Sequence, residues 1–176
     1  MIVTVTGGSG SGKSEFAENM VAELSCHTKE NNKLYYIATM KPYGEEAAMR
    51  INRHKKLREG KGFLTIECYN NIGCCQIDSK SNVLLECMSN LAANEMFEET
   101  IKDQNYVLNK ICSGIDKLKD TAGNLVIVTN DIFADGIIYD KSTMEYIELL
   151  GKINQYLVSI SNRVIEVIYS CPLIIL

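Results

Sequence analysis

The chain has 176 residues, 46% of them hydrophobic and 23% charged, with a formal net charge of -4, the balance of one domain with a sizeable core. That charge gives no support for general nucleic-acid binding, no apolar run is long enough to span a bilayer, and no basic segment with a cleavage site opens the chain, so a cytoplasmic protein is expected. The 7 cysteines include no C-x-x-C pair, which argues against zinc and for reduced thiols, several of them small core residues; Cys74 and Cys75 are a candidate redox or metal pair.

In chain order, Ile2 to Thr6 is a β-branched run expected to form a buried strand. Gly7-Gly8-Ser9-Gly10-Ser11-Gly12-Lys13-Ser14 follows and fits the phosphate-binding pattern G-x-x-x-x-G-K-[ST]. Phe16, Ala17, Met20, Val21 and Leu24 then recur at helical spacing. Strand, glycine loop and helix are the context the motif requires. Glycines let backbone N–H groups wrap a phosphate chain, and the helix turns its positive end toward the same phosphates. Lys13 supplies a charge for the β- and γ-phosphates and Ser14 a hydroxyl ligand for Mg²⁺. The loop therefore predicts a nucleoside triphosphate with Mg²⁺, without choosing ATP or GTP.

Cys26 to Lys33 reads as a polar loop with His27 on the surface, and Leu34 to Thr39 as a second strand. Lys41 to Gly44 is a turn. Glu45 to Arg58 is rich in helix formers, with Gly60 and Gly62 as a stop. Phe63 to Cys68 is a third strand, Tyr69 to Asn82 has no clear pattern, and Val83 to Cys87 is an apolar run carrying Glu86 at its end. A short helix is expected from Ser89 to Glu99, then an amphipathic one marked by Val107, Ile111, Ile115 and Leu118. Leu125 to Val128 is another strand, ending at Thr129-Asn130-Asp131. Ser142, with Glu145 three residues on, predicts a capping box for a helix whose apolar face is Met144, Ile147, Leu150, Ile153, Leu157 and Ile160. Val164 to Tyr169 and Leu173 to Leu176 close the chain as strands.

Strands alternate with helices, and most strands are apolar on both faces. The expectation is one P-loop domain over residues 1–176. Its fold would be a P-loop NTPase-like (RecA-like) α/β architecture, with a doubly wound, mainly parallel sheet and helices on both faces. Ligands of such sheets sit at the carboxyl ends of the strands, where the glycine loop, Thr39, Glu67, Glu86, Asn130 and Asp131 fall.

Arg50, His54 and Arg58 are spaced i, i+4, i+8 and share one helix face. A neutral imidazole can act as a nucleophile, and guanidinium groups can hold phosphate oxygens. Spacing alone favours a solvated basic face, since Arg53, Lys55 and Lys56 surround it. An acid ending an apolar strand supplies a magnesium contact in many P-loop proteins; Glu86 fits that role, with Asp131 as its rival.

The ordered set of Gly7 to Ser14, Tyr36 to Thr39, Arg50 to Arg58, Thr65 to Cys68, Leu84 to Cys87, Val128 to Asp131 and Gly151 to Asn154 resembles the adenosylcobinamide kinase / adenosylcobinamide-phosphate guanylyltransferase family of cobalamin biosynthesis. The resemblance covers nearly the whole chain. It implies two activities. One transfers the γ-phosphate of ATP or GTP to a hydroxyl of adenosylcobinamide. The other passes GMP from GTP, through a guanylylated histidine, to adenosylcobinamide phosphate. It maps that histidine to His54 and implies a homo-oligomer, a trimer. Thr39, Glu67 and Glu86, by their place at strand ends, and Arg50 and Arg58, by their spacing, are expected to join the loop around the nucleotide. The chain departs from the family in Asn130 to Tyr139, where Asp131, Phe133 and Tyr139 replace the usual glutamate, glycine and proline. A single-activity kinase, or a nucleotide-binding paralogue without transferase activity, are the alternatives.

Overall fold

The computed structural model describes residues 1–26, 32–98, 103–133, 136–137 and 139–176. His27, Glu99, Ala134, Asp135 and Ile138 lie outside the described residues. Seven strands form one sheet: β1 (Ile2–Thr6), β2 (Leu34–Ala38), β3 (Phe63–Glu67), β4 (Asn82–Glu86), β5 (Asn124–Val128), β6 (Arg163–Ile168) and β7 (Cys171–Ile174). Their order is β3-β2-β4-β5-β1-β6-β7. Every pairing is parallel except β6 with β7. The helices are α1 (Lys13–Cys26), α2 (Gly44–Arg58), α3 (Met88–Met96), α4 (Gln104–Thr121) and α5 (Lys141–Ile160). This is the doubly wound, RecA-like P-loop architecture expected from the alternation of strands and helices, with one strand, β5, between the strand that precedes the glycine loop and the strand that ends in Glu86.

Alternation within each strand sends side chains to opposite faces, and each face has its own core. Tyr35, Ile37, Val83, Leu85, Leu125 and Ile127 pack under α3, α4 and α5, through Leu91, Ile111, Ile115, Leu150 and Ile153 among others. Val3, Val5, Tyr36, Leu84, Val126, Val128 and Ile165 pack under α1, through Ala17 and Val21. Both faces of β4 are therefore buried, as its unbroken apolar run predicts. The edges differ. β3 exposes Leu64, Thr65 and Glu67, and all of β7 is exposed. The helix α2 buries only Arg58 along its length; it is polar almost all round and lies across α1 rather than in the core. Among the described residues no helix is long and apolar enough to cross a membrane.

Three local expectations are corrected. The cap of α5 is Asp140, whose carboxylate accepts from the Ser142 and Thr143 amides at 2.9 and 3.1 Å, so Ser142 lies inside the first turn and no Ser142–Glu145 box forms. Met144, expected on the apolar face, is exposed, and burial begins at Leu149. Of the cysteines only Cys87 is fully buried; Cys68 and Cys75 pack partly against the core, and Cys26, Cys74 and Cys171 are exposed. The stretch from Tyr69 to Asn82, patternless in sequence, contains a 3₁₀ turn at Ile72–Cys74. It is fastened by Ile72, which is fully buried beside Gly114 of α4.

Candidate active site

The glycine loop joins β1 to α1, and Lys13 is the first residue of a 14-residue helix, so the amide end of that helix faces the loop. Two glycines are dictated by geometry. Gly7 has φ +146° and a Cβ there would lie 2.4 Å from the Val167 carbonyl oxygen. Gly12 has φ +91° and a Cβ would meet Ser170 Oγ at 2.6 Å. The loop is braced from outside as well: Ser170 N donates to Ser11 O at 2.8 Å, and Asp131 N to Gly7 O at 3.2 Å. Lys13 is buried and donates to Gly8 O at 2.9 Å. Burial pulls its ammonium below the ordinary lysine value, Cys87 and Glu86 pull it back up, and Arg50 lowers it.

Beside the loop lies a cleft of about 540 Å³, lined by Ser9 to Glu15 and by residues of α2, β2, β3 and the ends of β4 and β5. The histidine helix and the phosphate loop thus share one cavity. Glu86 sits at its floor: Oε2 accepts from the Tyr36 hydroxyl at 3.2 Å, and Oε1 is 3.7 Å from His54 Nδ1, too long for a hydrogen bond. The Arg58 guanidinium stacks 3.5 Å over the Tyr36 ring, a cation–π contact that holds the end of α2 against β2. Glu18 of α1 joins this group. It has no exposed surface, and Lys61 Nζ, held also by Asn19, donates to its Oε2 at 3.3 Å. Burial, then Glu86, pushes the Glu18 carboxyl up to about 7, against the pull of Lys61 and Arg58. One donor atom from each of Glu18, His54 and Glu86 lies within 4.8 Å of the others.

The residues singled out from sequence are distributed as follows. Ser9, Gly10, Ser11, Gly12, Lys13, Ser14, Arg50, His54, Arg58, Glu67 and Glu86 line the cleft. Gly7 and Gly8 shape the loop behind it. Thr39 is fully buried, and its hydroxyl accepts from Cys87 N and donates to Cys87 O, both at 2.8 Å, so it clamps β2 to the end of β4. Arg50 is half exposed and pairs with Glu46 at 2.7 Å. Glu67 accepts from the Tyr69 hydroxyl at 2.8 Å. Asp131, the rival to Glu86, is exposed, accepts from Phe133 N, and is not among the cleft residues. Asn154 does its work behind the cleft: it accepts from the Thr129 hydroxyl at 2.7 Å and donates to Asn130 O at 3.3 Å, holding the end of β5.

Sequence reasoning missed Tyr36, Glu18 and Lys61. Glu18 carries a signal in hindsight: it is four residues after Ser14, on the same face of α1 as the loop serine. Tyr36 hides inside an ordinary apolar strand. Lys61 depends on the glycine turn at Gly60 and Gly62, which no spacing rule connects to α1.

The family model for cobinamide kinase / cobinamide phosphate guanyltransferase matches residues 3–175. Two curated relatives are similar along their length. The bifunctional adenosylcobalamin biosynthesis protein CobU of Escherichia coli (strain K12) is 27% identical over 177 residues, covering 93% of each chain. The protein of the same name from Salmonella typhimurium (strain LT2) is 25% identical over 183 residues, again covering 93% of each. Among solved structures, the flagellar accessory protein FlaH from Methanocaldococcus jannaschii matches 94% of this chain and 70% of its own at TM-score 0.47 and 13% identity. That likeness adds nothing to what the strand order itself says. With a match spanning all but its first two residues and its last, the chain belongs to the cobinamide kinase / cobinamide phosphate guanyltransferase family.

Proposed function

We propose that the chain carries out both reactions of its family, in sequence, in the one cleft, and that His54 is the group that carries GMP. In the first reaction the hydroxyl of adenosylcobinamide attacks the γ-phosphorus of ATP or GTP, and the nucleoside diphosphate leaves. In the second, His54 attacks the α-phosphorus of GTP, the bond to the β-phosphate breaks, and pyrophosphate leaves. A phosphate oxygen of adenosylcobinamide phosphate then takes the GMP from the histidine. A covalent carrier divides one hard transfer into two easier ones. The observation that supports this most directly is that the phosphate loop and His54 line the same cavity.

The chain's own residues have distinct parts. Lys13 and the amide end of α1 would bind the phosphate chain. Arg50 and Arg58, on the cleft side of α2, would hold oxygens of the phosphate under attack. Hard oxygen donors line the cleft at Ser14 and Glu86, a set that suits Mg²⁺. Tyr36 occupies one oxygen of Glu86 and leaves the other for a cation. Mg²⁺ held there supplies positive charge to the phosphate oxygens. A homo-oligomer in the cytoplasm, a trimer by family resemblance, belongs to the same reading, and sedimentation velocity reads it.

The test is the intact mass of the protein after incubation with GTP and Mg²⁺, beside His54→Ala. One acid-labile GMP is expected on the unsubstituted protein and none on the variant, while phosphoryl transfer to adenosylcobinamide persists in both. Nucleotide binding and phosphoryl transfer without any adduct would leave a plain kinase.

A further inference from the structure

Three buried polar atoms around α2 have no hydrogen-bond partner: Glu18 Oε1, His54 Nδ1 and Arg58 Nη1. One is an acceptor, one a certain donor, and the imidazole nitrogen becomes either according to where its proton sits. Buried polar atoms are rarely left unpaired, so an unpaired acceptor beside an unpaired ring nitrogen points to a bond that closes between them. Glu18 is fixed for this. Lys61 holds its other oxygen, Asn19 holds Lys61, and a carboxylate oxygen of Glu18 lies within 4.8 Å of a ring nitrogen of His54 and an oxygen of Glu86. Glu86 Oε1 lies 3.7 Å from Nδ1, beyond hydrogen-bond reach, and is the oxygen that the reading above gives to a cation, while Tyr36 takes the other.

We propose that Glu18 is a positioning residue for His54: its free oxygen accepts the Nδ1–H of the imidazole and so leaves Nε2 bare as the nucleophile. This deepens the guanylyl-transfer reading above and rests on it for its catalytic meaning. A ring nitrogen's proton is set by the hydrogen bond its neighbour makes. When Nε2 forms its bond to the α-phosphorus and the bond to pyrophosphate breaks, the proton remains on Nδ1. The positive charge that grows on the ring then faces the Glu18 carboxylate, as a carboxylate supports the imidazolium in a hydrolase triad. Glu18 and Ser14 stand one turn apart on α1, so a single helix would present both the phosphate loop and the group that orients the nucleophile.

The first experiment is a ¹⁵N-histidine spectrum of the nucleotide-free protein above the imidazole titration. The chain has 2 histidines, and a His54→Ala sample assigns the pair. The Nδ1–H form is expected at His54. An Nε2–H form, or an equal mixture, would overturn the proposal without any variant having to fold. The second experiment is Glu18→Gln. Its His54 is expected to become a tautomer mixture, and its rate of GMP-adduct formation to fall about 10- to 100-fold further than its phosphoryl-transfer rate. Equal losses in both rates, or an unchanged tautomer, would make Glu18 merely structural. Should the unsubstituted protein form no adduct at all, the guanylyl-transfer reading fails, and the spectrum still decides the role of Glu18.

Discussion

At the scale of single residues, Lys13 and Glu18 are charges withdrawn from water for different reasons. Lys13 is the group that the proposed function assigns to the phosphates, and its loss would remove charge from whatever transfer occurs there. Lys13→Ala is expected to lower both phosphoryl transfer and adduct formation by about 10²-fold or more, the scale on which lost transition-state stabilisation registers, in steady-state and single-turnover assays. Glu18 burdens the fold at high pH. Its carboxyl is raised from the ordinary 4.5 to about 7, so the folded state binds its proton more tightly than the unfolded one. The stability this contributes is complete below pH 4.5 and is lost as pH rises through 7. Glutamine has no such dependence. Between pH 4 and pH 8, Glu18→Gln should therefore gain on the parent by on the order of 3 kcal/mol, read as a growing difference in denaturant midpoint. Little of this was legible in sequence. Helical spacing placed Arg50, His54 and Arg58 on one face but could not distinguish a solvated face from a cleft wall. What separates them is Tyr36 under Arg58 and Glu86 near His54, contacts between distant parts of the chain.

At the scale of elements, apolar periodicity and helix propensity located the helices and strands, and the failures fell at termini and in the connection before β4. The α5 start was misjudged because Asp140 and Ser142 are both good caps, and the carboxylate won by accepting two amides. The connection could not be read because it is fixed by contacts between distant parts of the chain, among them Ile72 seated against α4, the Asn71 amide on the Glu95 carboxylate and Asn94 on the Tyr69 carbonyl. The Ile72 contact gives Gly114 its purpose. A Cβ at Gly114 would lie 2.7 Å from Ile72 Cγ1 and 3.0 Å from the Gly73 amide nitrogen. Alanine in place of glycine favours a helix by about 1 kcal/mol, whereas overpacking costs about 1–3 kcal/mol. Since the Gly73 backbone cannot rotate away, the clash should prevail. Gly114→Ala is expected to be destabilised by about 1–2 kcal/mol, checked by chemical denaturation.

At the scale of the whole molecule, the architecture was readable from alternation alone, because a parallel sheet with two covered faces leaves apolar runs in its central strands. The edges, β3 and β7, are where that signature weakens. The sheet brings the glycine loop and the β4 terminus to one end, so a triphosphate there would tie α1, α2 and β4 together. Binding to the folded state alone stabilises it by mass action, by about 2.7 kcal/mol at a hundredfold excess over Kd. A slowly hydrolysed GTP analogue with Mg²⁺ should raise the Tm of the parent protein and leave that of Lys13→Ala nearly unmoved, in differential scanning fluorimetry.

The cleft shared by the loop and His54 would also impose a timetable on the proposed function. On the proposed function one triphosphate seat would serve the two chemistries in turn: with GMP on His54 the seat would be closed to a phosphoryl donor, and with a donor seated His54 would stay bare. Each molecule of cobinamide would then visit twice, and the ratio of ATP to GTP in the surroundings would decide which errand the enzyme is ready for when it arrives.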